Sequence, residues 1–198
     1  MRVSQKKIIT SSFDLRQSPE YKKYAKKIVT ERFERIKINF INKFNQHPVT
    51  REVLAGPRSS NLSGTLSGVG NLFSFIGFEA RQKPIDSVRP LFNKIFLTSI
   101  QIKKDGSFIC FASYPKLQDY YQVTPLPWAT GKSWMEGIER GISNLGFFLN
   151  QKSEKSRSGQ GLQASNKINK ISFQRTPYMS KLINEFEAEI LKLNQTTI

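Results

Sequence analysis

The chain has 198 residues, with 31 Lys and Arg against 15 Asp and Glu, so its formal charge is +16 and its pI is about 10.1. This length suits one domain with extensions, and this charge predicts an acidic partner such as nucleic acid, a negative membrane surface or an acidic protein face. The single cysteine, Cys110, excludes an internal disulfide and a cysteine-based zinc site. The sequence has no run of about twenty mostly apolar residues, so no membrane-spanning helix is predicted.

The N-terminal quarter of the chain predicts a basic arm followed by a long helix. Residues 1–17 are expected to form a flexible arm. Ser18 is a predicted N-cap, Pro19 suits the first helical position, and Pro48 ends the helix. Apolar residues recur at helical spacing, at Tyr21, Tyr24, Ala25, Ile28, Val29, Phe33, Ile36, Phe40 and Phe44. The opposite face is predicted to be basic, and six of its side chains form a candidate contact with DNA or an acidic partner: Lys22, Lys23, Lys26, Lys27, Arg32 and Arg35.

A short helical turn is predicted from Thr50 to Ala55, with Gly56 closing it. A run of twenty residues without charge follows, Ser59–Phe78, here called the uncharged tract. Its Gly- and Ser-rich half, Ser59–Gly70, predicts a flexible arm.

The aromatic half, Leu72–Phe78, predicts a short strand or a helical turn. We expect this half to bury its side chains against the chain's own sheet or against an adjacent subunit, and the subunit boundary is the specific prediction. The candidate interface residues are Leu72, Phe73, Phe75, Phe78, Trp128, Trp134 and Tyr178.

The middle of the chain predicts antiparallel strands. Lys94–Lys103 and Ser107–Tyr114 are rich in β-branched and aromatic residues, and Lys104-Asp105-Gly106 between them is turn chemistry. A loop around Tyr120 and Tyr121 is predicted next, because three prolines bracket it. Ser133 is then expected to cap a helix that continues weakly to Leu149.

The C-terminal region predicts a flexible loop over residues 150–166, a strand over Lys167–Gln174 and a final helix after Pro177. The apolar face of that helix is predicted from Tyr178, Leu182, Ile183, Phe186, Ile190, Leu191 and Leu193, and its acids from Glu185 to Glu189 are expected to face water. The whole order predicts an α+β fold, with a long N-terminal and a C-terminal helix packed on a small antiparallel sheet. We expect one domain over residues 18–198, with an extended tract over 57–80.

The chain has few residues of the types that usually carry catalysis, which argues against an enzyme. The one histidine, His47, precedes a proline at a helix end and is expected to cap or pack, and Cys110 is expected to be a small core residue. Glu136 and Glu139 lie three residues apart but favour a solvated helix surface. We therefore predict no catalytic residues, no cofactor and no metal. A pocket around Lys132, Glu136 and Glu139 is the distant enzymatic alternative.

Two short motifs carry a family resemblance. Ser63-Gly64-Thr65-Leu66 follows the first helix, and Arg175-Thr176-Pro177-Tyr178-Met179 opens the last one. They are similar to the "TGxLxxS" and "RPFL" elements at the same places in the head-to-tail neck and tail-completion proteins of tailed bacteriophages. The uncharged tract and Pro127–Gly141 resemble segments of myovirus-type virion structural proteins. The order of the predicted elements along the whole chain also resembles that of this family.

The resemblance implies a structural subunit without chemistry, in a homomeric ring that joins the portal side of the head to the tail. A hexamer is the expected ring. Its implied partners are further copies of itself, portal or adaptor proteins, and tail-terminator or tail-tube proteins. DNA in the channel is a further candidate partner, and no membrane contact is expected. We expect it in the virion, made in the host cytoplasm without an export signal. The alternatives are a sequence-neutral nucleic-acid-binding protein that uses its basic first helix, and a tail-terminator or baseplate subunit.

Overall fold

The structure is a computed structural model, and it describes residues 18–68, 70–103, 107–127, 129–141 and 173–195. Several predictions lie outside these ranges: the arm over residues 1–17, the turn Lys104-Asp105-Gly106, the helix extension to Leu149 and the loop over 150–166. The predicted strand Lys167–Gln174 is described only at its last two residues, which are not in a strand.

The described residues form six α-helices and two antiparallel strand pairs, which is the predicted α+β class. The elements are α1 Pro19–Gln46, α2 Pro48–Ala55, α3 Leu72–Ile76, β1 Phe96–Ile102, β2 Phe108–Ser113, α4 Leu117–Gln122, β3 Pro125–Leu126, β4 Ala129–Ser133, α5 Trp134–Arg140 and α6 Met179–Asn194. Short 3-10 turns cover Gly56–Arg58 and Arg89–Lys94.

Helix α1 begins as its sequence predicts. The hydroxyl of Ser18 accepts a hydrogen bond from the backbone N–H of Tyr21 at 3.1 Å, and Pro19 occupies the first turn, where its missing N–H costs nothing. The predicted apolar stripe is buried at Ala25, Val29, Phe33, Phe40 and Phe44. Tyr24 is an error of the prediction, because its side chain is 57% exposed.

Helices α1 and α6 pack against each other in opposite directions. Phe33 meets Phe186 edge to face with ring centroids 6.4 Å apart, and Phe44 stacks on Tyr178 at the other end of α6. Aromatic pairs of this kind add specific geometry to the burial of apolar area. This pair of helices forms one side of the core.

The acids of α6 do not simply face water, which corrects the prediction. The ammonium of Lys43 on α1 lies 3.0 Å from a carboxylate oxygen of Glu185 and 3.0 Å from one of Glu189, and these hydrogen bonds raise the pKa of Lys43. Glu187 accepts a hydrogen bond from the hydroxyl of Tyr114 at 2.8 Å, and burial, with this bond, raises the pKa of Tyr114 to about 12. The acidic residues therefore tie α6 to α1 and to the chain after β2.

Strands β1 and β2 form the predicted hairpin. They pair antiparallel from Phe96 opposite Ser113 to Ile102 opposite Phe108, with an irregularity between Leu97 and Ser99. One face of the hairpin carries Phe108 and Cys110 into the core.

The region after the hairpin differs from its prediction. Tyr120 and Tyr121 lie in helix α4 rather than in a loop, and both are buried. The carboxylate of Asp119 accepts the backbone N–H of Lys116 at 2.7 Å and so stabilises the first turn of a helix that the surrounding prolines hid. A small second hairpin, β3 with β4, was not predicted. Helix α5 does begin at the predicted cap, since Ser133 accepts the N–H of Glu136 at 3.1 Å.

Candidate functional surfaces

The first half of the uncharged tract folds around a buried carboxylate. Glu52 on α2 is 0% exposed. One of its oxygens accepts the backbone N–H of Leu72 at 2.7 Å and the amide of Asn61 at 3.0 Å, and the other accepts the N–H of Ser63 at 2.7 Å. The side-chain oxygen of Asn61 in turn accepts the N–H groups of Leu66 and Gly68.

These bonds correct the prediction of a flexible arm over Ser59–Gly70. A buried charge is costly unless hydrogen bonds satisfy it, and the tract supplies donors from its own backbone. Glycines make this folding possible: Gly64, Gly68 and Gly70 all have positive φ, which other residues adopt only with strain. We call the segment 61–72 with Glu52 the Glu52 loop.

The aromatic half of the tract is the short helix α3. Asn71 caps it by accepting the N–H of Ser74 at 2.9 Å, and Gly77 ends it in the left-handed conformation. The four candidate interface residues of this half, Leu72, Phe73, Phe75 and Phe78, are all buried in the chain's own core. The predicted location at a subunit boundary is therefore corrected.

The remaining interface candidates follow the same pattern. Trp134 is buried and meets the ring of Phe78 edge to face at 6.0 Å. Tyr178 is buried, its hydroxyl is hydrogen-bonded to the hydroxyl of Thr50, and burial raises the pKa of its phenol. Trp128 lies outside the described residues. The large aromatic side chains that the sequence singled out are thus packing residues of the monomer wherever the structure describes them.

The first of the two motifs that carry the family resemblance meets the residue just before the second one in the fold. The backbone N–H of Gln174, just before the second motif, donates to the carbonyl of Thr65 in the first motif at 2.8 Å. Thr65 and Leu66 are buried on one side of this contact, and Tyr178 and Met179 on the other. More than a hundred residues of sequence separate Thr65 from Gln174, so this hydrogen bond is a long-range feature of the fold.

The basic side chains of α1 do not share one face, which corrects the prediction. Lys23, Lys26 and Lys27 lie on one flank of the buried stripe by helix geometry, whereas Arg32 and Arg35 lie on the other. Lys22 lies two helical turns before buried Val29, on the same side of α1 as that residue. The outermost line of the helix is formed by exposed Tyr24, Glu31 and Ile38.

The lysines of the first two turns nevertheless form a basic cluster, here called the lysine cluster: Lys22, Lys23, Lys26 and Lys27. Within the described part of the chain, Lys27 is the member with a carboxylate near it, at 3.9 Å from Glu31, and this pair is largely exposed. An exposed pair at that distance is weak. Arg32 and Arg35 instead line a shallow groove with Glu189 at the side of α6.

The outer side of the β1–β2 hairpin is a surface that the sequence analysis missed. Residues alternate between the two sides of a strand, and the observed register places one set on the side away from the core. We call this set the hairpin face: Phe96, Ser99, Gln101, Ile109, Phe111 and Ser113. Phe96 is 49% exposed and Phe111 is 45% exposed. Neither β1 nor β2 contains a charged residue.

The edge of β2 is covered at one point by the end of α6. The side-chain oxygen of Asn194 accepts the backbone N–H of Cys110 at 2.8 Å, and its amide lies 3.4 Å from the carbonyl of the same residue. Asn194 thus takes the place of a neighbouring strand at Cys110. Cys110 is buried, as predicted, and burial raises the pKa of its thiol.

The candidate catalytic groups have structural partners. His47 accepts the N–H of Val49 through Nδ1 at 3.3 Å and packs on Tyr178 with ring centroids 4.6 Å apart, so it caps and packs as predicted. Glu139 accepts the hydroxyl of Tyr121 at 2.9 Å and the N–H of Ser180 at 2.7 Å, which joins α4, α5 and α6. Glu136 pairs with Arg140 at 2.9 Å and lines a small cleft with Lys132.

The described residues contain no group of three or more His, Cys, Asp or Glu placed to hold a metal ion. In the same ranges, no helix has the length and apolar character needed to cross a bilayer. Comparison with protein-family models, with curated proteins and with solved structures gave no match to this chain.

Proposed function

We propose that the protein is a structural subunit of a phage virion, in the ring that completes the neck or tail between head and tail. The observation that carries the proposal is the hydrogen bond from Gln174, the residue just before the second resemblance motif, to Thr65 in the first motif, at 2.8 Å. The buried residues of the two motifs, Leu66 and Tyr178 among them, hold α2, the tract and α6 in one arrangement.

The role is non-catalytic and depends on surfaces. Glu139 and His47 are engaged in holding helices together, which favours a structural use of the few groups suited to proton transfer. The exposed aromatic residues of the hairpin face offer a surface for packing against other subunits.

The test is to locate the protein in purified virions by cryo-electron microscopy or by immunogold labelling of an epitope-tagged chain. We expect density or label at the junction of head and tail, and loss of the gene should leave filled heads and free tails that wild-type protein rejoins. Label confined to the distal tail would favour the tail-terminator or baseplate alternative. Absence from the particle would refute a virion role.

A second candidate function is sequence-neutral binding of nucleic acid by the lysine cluster. Residues 19–37 hold seven basic and three acidic side chains, and the lysine cluster places four of these cations within two helical turns. Phosphate contacts of this kind release counterions, so binding weakens as salt rises. Lys23 and Lys26 lie on one flank of α1, and Arg32 and Arg35 lie on the other. A single duplex can therefore contact only one of these two groups.

The second candidate is tested by titrating the full chain with duplexes of unrelated sequence over a range of salt concentrations. We expect equal affinities and a salt dependence that falls by about one unit of slope for each lysine replaced in K23Q/K26Q. The matched control is K132Q, an exposed lysine on β4, which should leave the slope unchanged. No binding at low salt, or equal slopes in both variants, would exclude the lysine cluster as a DNA contact.

A further inference from the structure

Helices α1 and α6 leave a basic groove on one flank of their contact, here called the α1–α6 groove. It has a volume of about 310 Å³ and is lined by Arg32, Arg35, Ile36, Glu189, Lys192 and Leu193. Ile36 is half-buried and Leu193 is buried, whereas Arg35 and Lys192 are exposed, so the two apolar residues form the floor of the groove and the cations stand at its rim. Cations and an apolar surface are thus combined in one place.

The charges of the α1–α6 groove do not cancel. Its acidic lining residue, Glu189, is already bound by α1, since the ammonium of Lys43 and the amide of Asn39 each lie 3.0 Å from its Oε1. Within the described part of the chain, neither Arg32 nor Arg35 takes part in an ion pair. The Nε–H of Arg35 donates to a backbone carbonyl one turn earlier at 3.4 Å. Both guanidiniums therefore keep most of their five donors for an anionic group.

We propose that the α1–α6 groove binds an acidic segment of a partner protein, with carboxylates paired to the two arginines and an apolar side chain against the floor. A guanidinium presents its N–H groups in a planar fork that matches a carboxylate, and such charge-assisted hydrogen bonds are stronger than neutral ones. Arg32 and Arg35 are three residues apart on a helix, about 5–6 Å between their Cβ atoms, so one short segment reaches both. Clusters of arginine recognise acidic motifs in other peptide-binding proteins in this way.

The shape of the groove favours a peptide over nucleic acid. A space of about 310 Å³ beside two packed helices admits a few side chains, whereas a duplex is too wide to enter and would contact only the rim. The apolar floor would then contribute nothing to binding. An acidic segment with an apolar residue uses both parts, because it buries an apolar group while its carboxylates stay paired. A second copy of this chain, with a formal charge of +16, brings charge of the same sign as the rim.

The test is a chemical-shift titration of the isotope-labelled full chain with a short peptide in which glutamates flank a central leucine on both sides. We expect the Nε–H signals of Arg32 and Arg35 and the methyl signals of Ile36 and Leu193 to move together and to saturate. In two control peptides, glutamine replaces each glutamate or serine replaces the leucine. Each should bind about tenfold more weakly, because one loses the charges and the other loses the buried apolar group. Binding of either control peptide as tight as that of the first would overturn the proposal.

Variants of the protein locate the contact. R32Q/R35Q should bind the glutamate–leucine peptide about tenfold more weakly, and glutamine keeps the helix propensity of both positions. The matched control is R51Q/R81Q, which removes two exposed arginines outside the groove and should bind as the wild type does. Equal binding by the two variants, or no saturable shift at the groove, would overturn the proposal.

A duplex DNA that shifts the same groove signals and binds them more tightly than the peptide would assign the groove to nucleic acid and also overturn the proposal. Shifts at the groove on raising the protein concentration alone would assign it to a second copy. Peptide binding is measured on the isolated chain, so its outcome is separate from the location of the protein in a virion.

Discussion

The uncharged tract and strands β1 and β2 both lack charged residues and both carry phenylalanines, yet they use these properties in opposite ways. The tract sends Phe73 and Phe75 into the core and wraps its backbone around Glu52. The hairpin buries Phe108 and Cys110 but leaves Phe96 and Phe111 half exposed. A run without charge is therefore a sign of burial in one place and of an open surface in the other. What separates them is whether another element of the chain covers the residue.

The largest expected effect comes from a matched pair of truncations, F73A and F111A. Phe73 is fully enclosed, so F73A should lower the free energy of unfolding by about 3–5 kcal/mol through lost burial and a cavity. F111A should cost about 1 kcal/mol or less, because much of this ring is already in water. Urea denaturation of both variants measures the difference. Equal costs would mean that a further part of the chain or a second copy covers Phe111 in solution.

The next effect concerns the buried carboxylate of the Glu52 loop. E52A leaves the N–H groups of Ser63 and Leu72 and the amide of Asn61 without their acceptor. Buried donors without partners cost about 1–3 kcal/mol each, and relaxation of the loop recovers part of this, so we expect a loss of about 3 kcal/mol. Thermal unfolding measures it.

The control for E52A is E34A, at an exposed glutamate of α1, which should change stability by less than about 0.5 kcal/mol. Hydrogen exchange sharpens the outcome further. The amides of Ser63 and Leu72 should exchange faster in E52A than in the wild type, and unchanged exchange would show that the loop does not depend on Glu52.

A smaller effect is expected at the edge of the hairpin. N194A removes the side chain that pairs with the backbone of Cys110, and we expect a loss of about 1 kcal/mol. The exposed edge should also make the variant aggregate sooner on heating, as unprotected edge strands do. Light scattering during a thermal ramp checks this, with Q195A as the neighbouring control. Aggregation equal to that of the wild type would mean that Asn194 does not protect the edge.

Local signals predicted much of this fold. Ser18 and Ser133 indicated helix starts because an N-cap acts on residues two or three positions away. The β-branched and aromatic residues of β1 and β2, with turn residues between them, predicted the pairing of the two strands. Such features depend on neighbours in the sequence, which a single chain displays directly.

Long-range partners were beyond the sequence. Nothing in the sequence near Glu52 indicates that its carboxylate oxygens accept hydrogen bonds from Ser63 and Leu72. Those donors are backbone N–H groups, which every residue except proline carries. In the same way, Phe73 and Phe111 have equal side chains, and only the packing of other elements decides which one is enclosed. The candidate interface was misplaced for this reason.

The smallest expected effect is a pH dependence that arises at His47, the chain's only histidine. Burial of its ring, with the nearby charge of Lys181, lowers its pKa in the folded chain below the ordinary 6.5. The unfolded chain therefore takes up a proton at a pH where the folded chain does not. Stability is fully present above about pH 6.5 and is lost as the pH falls through the lowered pKa of the folded state.

The variant H47N isolates this contribution. Asparagine keeps an acceptor for the N–H of Val49 at the cap of α2 but does not titrate. Urea denaturation of both proteins between about pH 7.5 and about pH 5.5 should show the wild type losing stability more steeply than H47N. Parallel curves would assign the pH dependence to carboxylates instead. A steeper wild-type curve would show that the junction of α1, α2 and Tyr178, where the second resemblance motif packs, is held by a neutral imidazole.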